Sequence, residues 1–343
     1  MLTLHLQPDK RQEYERRRPY YFDDDLGMLC VLDADLIGAI FRSADFRTNP
    51  FADHYRTIAE RTGIDLDASV STLDHIPFSK EGAEHRRLRG AMNAVVSADS
   101  REHMAGMEAF VGDLVSGLFV AGSQIELVQQ LARPIFFELF SRWLKVDGEF
   151  LGGPNISQVF DAVMSLNRRK KVNRSLHELT CAFAERRDAL PTTPELAVAM
   201  NVLGNDALIG SLVLSTWHLL EEHPGARFSE IRFPPTLPAT GVPFIERIAN
   251  RDIEIGGMTI ARDEKVRLMI DATSRQVTGQ EADLFFGKGP HICIGKPMTL
   301  IIWRSLAKSL AALPLRFTLG QMRLRSGDYV FTYPESAELR IHD

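Results

Sequence analysis

The sequence predicts a mainly α-helical fold with small β-sheets, an α+β class, from three observations. Apolar residues recur at helical spacing in the middle of the chain, most clearly in residues 101–120 and 126–144. A long, largely apolar segment at residues 194–222 stops at His223-Pro224-Gly225, which terminates a helix. Short segments typical of strands lie near both ends of the chain. Hydrophobic residues make up 45% of the 343 residues and charged residues 25%, as in a soluble globular protein.

The elements are expected in the following order. The N-terminal part is predicted to hold a polar helix at 8–18, a strand at 27–32, a helix at 33–42 that begins near Asp33, a loop at 62–77 and a basic helix at 79–96. The remainder is predicted to hold helices at 101–120, 126–144 and 194–222, two helices within 154–190, a hairpin of 252–260 and 265–270 around 261–264, and strands at 315–324 and 329–333.

Charge and cysteine content limit the class of protein. The net charge of −5 at pH 7 does not indicate general attraction to nucleic acid. Three cysteines, Cys30, Cys181 and Cys293, give no disulfide framework and fit a reducing cytoplasm. The N-terminal residues contain no long apolar run, so we expect neither a signal peptide nor a membrane anchor. A soluble, cytoplasmic protein is predicted.

The most informative segment is residues 286–295, Phe-Gly-Lys-Gly-Pro-His-Ile-Cys-Ile-Gly. Its glycines allow the backbone to pass close to a flat macrocycle, and an apolar helical stretch follows at once. A cysteine thiolate is one of the axial ligands that proteins offer to haem iron. The N-terminus of the following helix favours negative charge on the sulfur. The alternative is a structural cysteine in a glycine turn, since free cysteines are commonly buried.

This segment resembles the cysteine-ligand loop of the cytochrome P450 superfamily, Phe-x-x-Gly-x-His-x-Cys-x-Gly. The five matching residues are Phe286, Gly289, His291, Cys293 and Gly295. The resemblance implies a shortened, divergent, bacterial-type member with a single cytochrome P450-like haem-binding domain, residues 1–343. It also implies haem b (iron protoporphyrin IX) as cofactor and Cys293 as the ligand to its iron.

Cationic residues are expected to hold the two haem propionates. His85 and Arg89 are four apart and share one helical face, which by itself could equally be a solvated basic face. The resemblance implies that this pair, together with His291, faces the propionates. Arg247 stands five residues before Asp252, and this spacing also matches the superfamily.

The long helix departs from the superfamily pattern where it is expected to cross the haem. Gly204 and Asp206 match the usual Ala-Gly-x-Asp/Glu-Thr, but Ala207 stands where the superfamily has threonine. In the superfamily that hydroxyl helps to deliver protons. We expect Gly204, Asn205 and Asp206 to be the catalytic residues of this helix, with Asn205, Asp206, a water or the substrate supplying the proton.

A second departure lies before Pro234-Pro235. Arg232 is in place, but Ser229 occupies the position of the usual glutamate, and Glu230 comes one residue late. Because the glutamate–arginine pair is structural in the superfamily, its loss bears on folding more than on chemistry.

The substrate and the partner are predicted from position. Residues 64–76 and 154–185 are expected to form much of the substrate pocket. A basic cluster within the second range indicates an acidic substrate if it faces inward, and otherwise a solvated helix face: Arg168, Arg169, Lys170, Lys171 and Arg174. Four basic residues near the cysteine loop indicate a docking patch for a ferredoxin-type electron donor, with scattered surface charge as the alternative: Arg86, Arg87, Lys288 and Lys296.

Three hypotheses about function follow. The first is a haem-thiolate monooxygenase that oxidises a small organic metabolite of specialised metabolism. The second is a peroxide-dependent or non-oxygenating haem-thiolate enzyme that catalyses a rearrangement or dehydration. The third is a non-catalytic haem-binding subunit.

Overall fold

The structure is a computed structural model that describes residues 19–148, 151, 156–161, 163–273, 284–325 and 330–343. The polar helix expected at 8–18 lies outside these residues. The α-helices are α1 (Ala34–Arg42), α2 (Phe51–Thr62), α3 (Asp67–Asp74), α4 (Gly82–Ser97), α5 (Ser100–Leu118), α6 (Arg133–Leu144), α7 (Leu166–Ala184), α8 (Pro194–Glu221), α9 (Ile270–Thr273) and α10 (Lys296–Ala311). The strands are β1 (Tyr20–Asp23), β2 (Met28–Val31), β3 (Phe46–Arg47), β4 (Gln124–Glu126), β5 (Ile245–Ala249), β6 (Ile253–Ile255), β7 (Met258–Ile260), β8 (Lys265–Leu268), β9 (Arg316–Leu324) and β10 (Pro334–His342).

The N-terminal elements follow the sequence prediction. Strand β2 lies inside the expected range, and α1 begins directly after Asp33. The Asp33 carboxylate accepts hydrogen bonds from the backbone N–H groups of Asp35 and Leu36, both at 3.0 Å. Two otherwise unpaired donors at the start of α1 are thereby satisfied, which is why the helix begins there.

A five-stranded sheet in the order β1-β2-β8-β5-β3 places Arg247 beside helix α1. Strand β8 pairs parallel to β2 and antiparallel to β5. The expected hairpin of 252–260 with 265–270 is therefore wrong. The hairpin is instead β6 with β7, which turns at Gly256 and Gly257, and both glycines have positive φ.

Helix α8 runs through the middle of the fold. Thr193 caps its N-terminus by accepting a hydrogen bond from Leu196 N at 3.3 Å. Its residues are apolar on all sides because other elements surround it. Among the described helices it is the one with the length and hydropathy of a membrane span, and 83% of its most apolar window is buried inside the fold. A buried core helix has the same composition, so this is weak evidence for a membrane span.

Two further predictions need correction. Residues 126–144 are not one helix, because strand β4 ends at Glu126 and a π-helix (Leu127–Ala132) precedes α6. The Glu126 carboxylate accepts hydrogen bonds from Val128 N at 3.2 Å and Gln129 N at 2.6 Å, and so begins the π-helix. The loop expected at 62–77 contains α3, whose Leu73 packs in the core.

Two segments differ in part from their predictions. The first of the two helices expected within 154–190 is a short 3-10 helix (Ile156–Phe160), and the second is α7. The strand expected at 329–333 is not present in residues 330–333, whereas 334–342 form β10. β10 pairs with β4 and β9 in a three-stranded sheet. Residue 329 lies outside the described residues.

The C-terminal sheet reaches α8 at one close contact. A Cβ atom on Gly210 would come within 2.5 Å of the backbone oxygen of Thr332, so only glycine fits there. Thr332 N also donates a hydrogen bond of 2.9 Å to Gly241 O. These contacts bring the residues before β10 over the middle of α8, where the cavity described below opens.

Candidate active site

A cavity of about 290 Å³ lies between α8 and the loop before α10. Helices α4 and α6, strand β5 and residues 330–331 complete its walls. Most of the lining is apolar. The polar and charged lining residues are Asn49, His85, Arg89, Ser211, Thr240, Glu246, Arg247, His291, Cys293 and Thr299.

The cysteine loop is held in shape by backbone contacts. Cys293 N donates a hydrogen bond of 2.7 Å to Phe286 O, which closes the loop. Gly289 has a φ of +71°, and a Cβ atom there would lie 2.8 Å from Phe41 O. A side chain at this position would therefore be strained and would collide with backbone. The glycine of the motif is needed to bring the loop against α1.

Cys293 presents its sulfur to the cavity. The side chain is solvent-accessible because it faces this open space, although protein surrounds the cavity. Burial raises the pKa of the Cys293 thiol, and the backbone N–H groups of Gly295 and Lys296 and the charge of Arg89 oppose that rise. Donors aimed at the sulfur stabilise a thiolate, which is the form that binds metal.

His85 and Arg89 lie on the inner face of α4 and line the cavity. His85 is buried, and its Nε2 has no hydrogen-bond partner among the described residues. Burial lowers the pKa of His85, with smaller contributions from His291 and Arg89. Its ring centroid is 4.2 Å from that of His291. The His291 Nδ1 is also without a partner in the described part of the chain.

Arg247 completes this group from strand β5. Its side chain lines the cavity, lies over the Phe41 ring at 5.3 Å and is 6% exposed. Burial lowers the pKa of Arg247 to about 10, and the nearby Glu81 opposes this. Its guanidinium donates one hydrogen bond of 2.9 Å to Glu246 O. A buried guanidinium of this kind is stable when an anion shares its cavity.

These observations show that the residues fit a haem. Two buried imidazole nitrogens lack partners among the described residues, two arginines line the same cavity, and a sulfur with backbone donors faces it. Carboxylates require such donors when they are buried. The motif residues Phe286 and Gly295 also line the cavity.

Glu81 is a residue of this region that the sequence did not reveal. Its carboxylate lies 3.3 Å from His291 Nε2 and accepts a hydrogen bond of 2.8 Å from Thr48 N. Partial burial works against its ionisation, but His291 and Thr48 together lower the pKa of Glu81 to about 2. Glu81 therefore fixes the orientation of His291.

Helix α8 presents a different set of residues from the one expected. Gly204, Ala207, Leu208 and Ser211 line the cavity, whereas Asn205 and Asp206 do not. Asp206 is fully buried and ion-paired with Arg325 at 2.7 Å. Asn205 Nδ2 donates a hydrogen bond of 2.7 Å to the other carboxylate oxygen of Asp206. The catalytic roles expected for Asn205 and Asp206 stay predictions.

The substrate walls come from elsewhere than predicted. Neither residues 64–76 nor the described part of 154–185 line the cavity. Residues 64–76 contain α3, which packs in the core. Phe160 forms a second layer, with its ring centroid 5.3 Å from Phe51, 5.5 Å from Phe78 and 5.7 Å from Phe331. The rings of Phe51, Phe78 and Phe331 line the cavity directly.

The basic cluster of α7 does not reach the cavity. Arg168 donates a hydrogen bond of 2.8 Å to Gln158, and buried Arg169 lies over the Tyr55 ring at 4.9 Å. The remaining three residues are exposed: Lys170, Lys171 and Arg174. The residues of the expected docking patch differ in solvent exposure. Arg86 and Arg87 are exposed, whereas Lys288 and Lys296 are partly buried.

Comparisons with known proteins agree with this geometry. No family model matches the chain. It is similar to pentalenic acid synthase of Streptomyces avermitilis, with 25% identity over 77% of this chain and 81% of that protein. The structure of P450BioI, in complex with hexadec-9Z-enoic acid ligated acyl carrier protein, has a TM-score of 0.78 and 18% identity, covering 99% of this chain and 98% of that one. The cytochrome P450 enzyme CxnD, for C–S bond formation in chuangxinmycin biosynthesis, has a TM-score of 0.77 and 18% identity, covering 98% and 94%.

The likenesses confirm the resemblance and the fold class predicted from the sequence. The solved structures match in fold over nearly the whole chain. The curated relative, which is an enzyme, matches over most of the sequence. The expectation of an enzyme of cytochrome P450 type is thereby confirmed.

Proposed function

We propose that this chain, which has the cytochrome P450 fold, is a haem-thiolate monooxygenase acting on a small organic metabolite of specialised metabolism. The observation that carries the proposal is the Cys293 sulfur facing a mostly apolar cavity, with His85, Arg89, Arg247 and His291 on the same cavity. Haem b is the cofactor that this set of residues would hold.

The cofactor-binding roles follow from chemistry. Cys293 would ligate the iron, and Arg89, Arg247, His85 and His291 would bind the propionates as charged or hydrogen-bonding partners. When bound, a haem with a thiolate ligand supplies oxidation of unactivated bonds by dioxygen or peroxide. Phe286 and Gly295 would shape the surface under the macrocycle.

The substrate side of the cavity favours an uncharged molecule. Its walls are aromatic and aliphatic, from Phe51, Phe78, Leu139, Phe140 and Phe331. Among the lining residues, the carboxylate is that of Glu246. Its Oε1 atom forms an ion pair with Arg267 Nη2 at 2.7 Å. Apolar walls exclude water. They bind a substrate by burying its apolar surface, which contributes about 25 cal/mol of binding free energy per Å².

Proton supply is where this chain differs from the superfamily pattern. Ala207 lines the cavity and carries no hydroxyl group, whereas Ser211 lies one helical turn further on and does. Gly204 keeps α8 close to Phe140, since a Cβ atom there would overlap that ring. We retain proton delivery by Asn205 or Asp206 as part of the proposal, although neither side chain lines the cavity in this structure.

A ferredoxin-type electron donor and a cytoplasmic location belong to the same proposal. Exposed Arg86 and Arg87, next to the haem-facing residues of α4, support attraction of an acidic carrier. The three cysteines are free thiols, which fits a reducing compartment.

The second candidate is a peroxide-dependent or non-oxygenating haem-thiolate enzyme. The observation that favours it is the apolar Ala207 at the cavity, because dioxygen activation requires delivered protons and peroxide already carries two. A non-catalytic haem-binding subunit has no observation of its own in its favour.

Turnover with two oxidants separates these functions. The purified protein is incubated with a panel of neutral apolar substrates, once with NADPH, ferredoxin and ferredoxin reductase in air, and once with hydrogen peroxide. The proposed monooxygenase forms product from the first mixture in proportion to NADPH consumed. Product from peroxide alone favours the second candidate, and no product from either mixture contradicts both. Ala207→Thr is expected to improve coupling only in the first case.

A further inference from the structure

The carboxylate of Asp206 ties helix α8 to the chain that follows strand β9. Arg325 Nη1 donates a hydrogen bond of 2.7 Å to Asp206 Oδ2, and Asn205 Nδ2 donates one of 2.7 Å to Oδ1. Asp206 is fully buried, and the Arg325 side chain is 10% exposed. Both carboxylate oxygens are therefore hydrogen-bonded to residues that do not line the cavity.

Arg325 also joins the two ends of a chain segment. Its backbone N–H donates a hydrogen bond of 2.9 Å to Tyr333 O. Its guanidinium carbon lies 4.3 Å from the centroid of the Tyr333 ring. A guanidinium stacked on an aromatic ring and paired with a carboxylate is fixed in orientation. One side chain thus contacts both Tyr333 and the Asp206 carboxylate of α8.

The residues just before Tyr333 form part of the substrate wall. Val330 and Phe331 line the cavity, as do apolar residues of α6. Phe331 packs edge-on against Phe160, with ring centroids 5.7 Å apart. Thr332 is held by its contacts with Gly210 and Gly241. A shift at Arg325 would move Val330 and Phe331 into or out of the cavity.

We propose that Asp206 is a positioning residue for the substrate wall, which it fixes through Arg325, Val330 and Phe331. The inference rests on the proposed function, since it concerns the substrate side of a haem cavity. This positioning role is separate from the proton delivery proposed above, because it acts through an ion pair that lies outside the cavity.

The test compares two iron ligands of different size. Imidazole and 4-phenylimidazole both bind haem iron, but only the phenyl group extends to the wall. Their dissociation constants are measured from the shift of the Soret band in haem-loaded protein. Asp206→Asn keeps the shape of the side chain and removes the ion pair. Arg325→Lys keeps the charge next to Asp206 and removes the planar stacking on Tyr333.

The expected result is selective. Each variant weakens 4-phenylimidazole about tenfold and changes imidazole by less than about twofold. The double variant is no weaker than the stronger single variant, because both act through one contact. Arg323→Gln is the matched control, since this exposed arginine of β9 donates a hydrogen bond of 3.2 Å to Ser336 and does not line the cavity. This variant is expected to bind both ligands as the parent does.

Two results overturn the inference. In one, Asp206→Asn binds 4-phenylimidazole like the parent protein. In the other, the effects of the two substitutions add in the double variant. If Asp206→Asn does not fold, Arg325→Lys carries the test alone, because its carboxylate partner stays paired. A parent protein in which neither imidazole shifts the Soret band would contradict the proposed haem site itself.

Discussion

At the scale of single residues, the surroundings of Cys293 show which groups favour and which oppose a charged sulfur in an apolar cavity. Burial alone would keep the thiol protonated, and the pKa of Cys293 is raised for that reason. The N–H groups of Gly295 and Lys296 and the nearby Arg89 act in the opposite direction. A bound cation adds a larger positive charge at the same atom and deprotonates a coordinating thiol.

The Arg247 guanidinium allows a direct test of the propionate site. Arg247→Met removes the charge and keeps most of the volume. A hydrogen bond to a charged group contributes about 1.5–3 kcal/mol, so haem affinity is expected to fall by about ten- to a hundredfold. Titration of the haem-free protein with haem, followed at the Soret band, measures this loss.

Arg251→Met is the control for Arg247. Arg251 lies on the surface, where its guanidinium is 65% exposed and pairs with Asp45 at 2.7 Å. Exposed pairs contribute little, so haem affinity is expected to stay at the parent value. Equal haem affinity in the Arg247 variant and this control would show that Arg247 does not bind the haem.

Single residues also show which contacts can be predicted from the sequence and which cannot. The motif positions Cys293, His291, His85, Arg89 and Arg247 were found because their spacing is local, and the fold brings them to one cavity. Glu81 and His291 are 210 residues apart, and no local pattern joins them. Their contact depends on the packing of α4 against the cysteine loop. The same holds for Asp206 and Arg325, which are 119 residues apart.

At the scale of elements, helix α8 depends on a glycine for its closeness to α6. A Cβ atom on Gly204 would overlap the Phe140 ring, which lines the cavity. Gly204→Ala is expected to lower the free energy of unfolding by about 1–3 kcal/mol through overpacking. Chemical denaturation measures the change, and 4-phenylimidazole binding reports the displaced ring.

Gly112→Ala is the matched control in helix α5. A Cβ atom there would meet only Ser309 Oγ, at 3.9 Å, so there is room for it. Alanine is a better helix former than glycine by about 1 kcal/mol, and the variant is expected to be as stable as the parent or more stable. A Gly204 variant that gained stability in the same way would show that α8 does not need the close approach.

The helices were easier to predict than the strands. Periodic apolar segments placed α5, α8 and α10 within a few residues, because each helix carries its own pattern. The strands β6 and β8 were assigned to one hairpin because their separation in sequence is short. Strand β8 has a better alternative, since it pairs with β2 and β5 and buries Val266 and Leu268 between them. Helix α3 was missed because it is short and weakly amphipathic, and tertiary contacts stabilise it.

At the scale of the whole molecule, the exposed Arg86 and Arg87 of α4 allow a test of how electrons would reach the proposed haem site. The double variant Arg86→Glu/Arg87→Glu is expected to lower ferredoxin-supported turnover about tenfold at low salt, because opposite charges steer association. Turnover supported by peroxide is expected to be unchanged, since it needs no protein partner. Rates measured at low and high ionic strength give the electrostatic part of the effect.

Lys170→Glu/Lys171→Glu makes the same change of charge on exposed residues of α7. These lysines do not line the cavity, and no contact joins them to the cysteine loop in the described part of the chain. Ferredoxin-supported turnover is expected to remain close to the parent rate. A similar loss in both double variants would indicate a general effect of net charge and would contradict docking at Arg86 and Arg87.

The overall architecture was predictable because one specific motif led to a known fold, whereas the walls of the cavity were not. Apart from residues 285–299, the cavity is lined by residues within 41–51, 77–96, 139–143, 200–211, 237–247 and 330–331, rather than by residues 64–76 and 154–185 as position in the superfamily indicated. Side chains from separate elements meet there, and no local pattern shows which elements will meet. The residues that line the cavity can therefore be identified only from the folded structure.

The most direct test of the central claim is the absorption spectrum of the haem-loaded protein, reduced and exposed to carbon monoxide, beside the spectrum of Cys293→Ala. Ligation by the Cys293 thiolate predicts a strongly red-shifted Soret band in the parent protein that is absent from the variant. Cys181→Ala, at an exposed thiol away from the cavity, should keep the band. A band typical of histidine ligation in the parent protein, or the same red-shifted band in Cys293→Ala, would contradict the account.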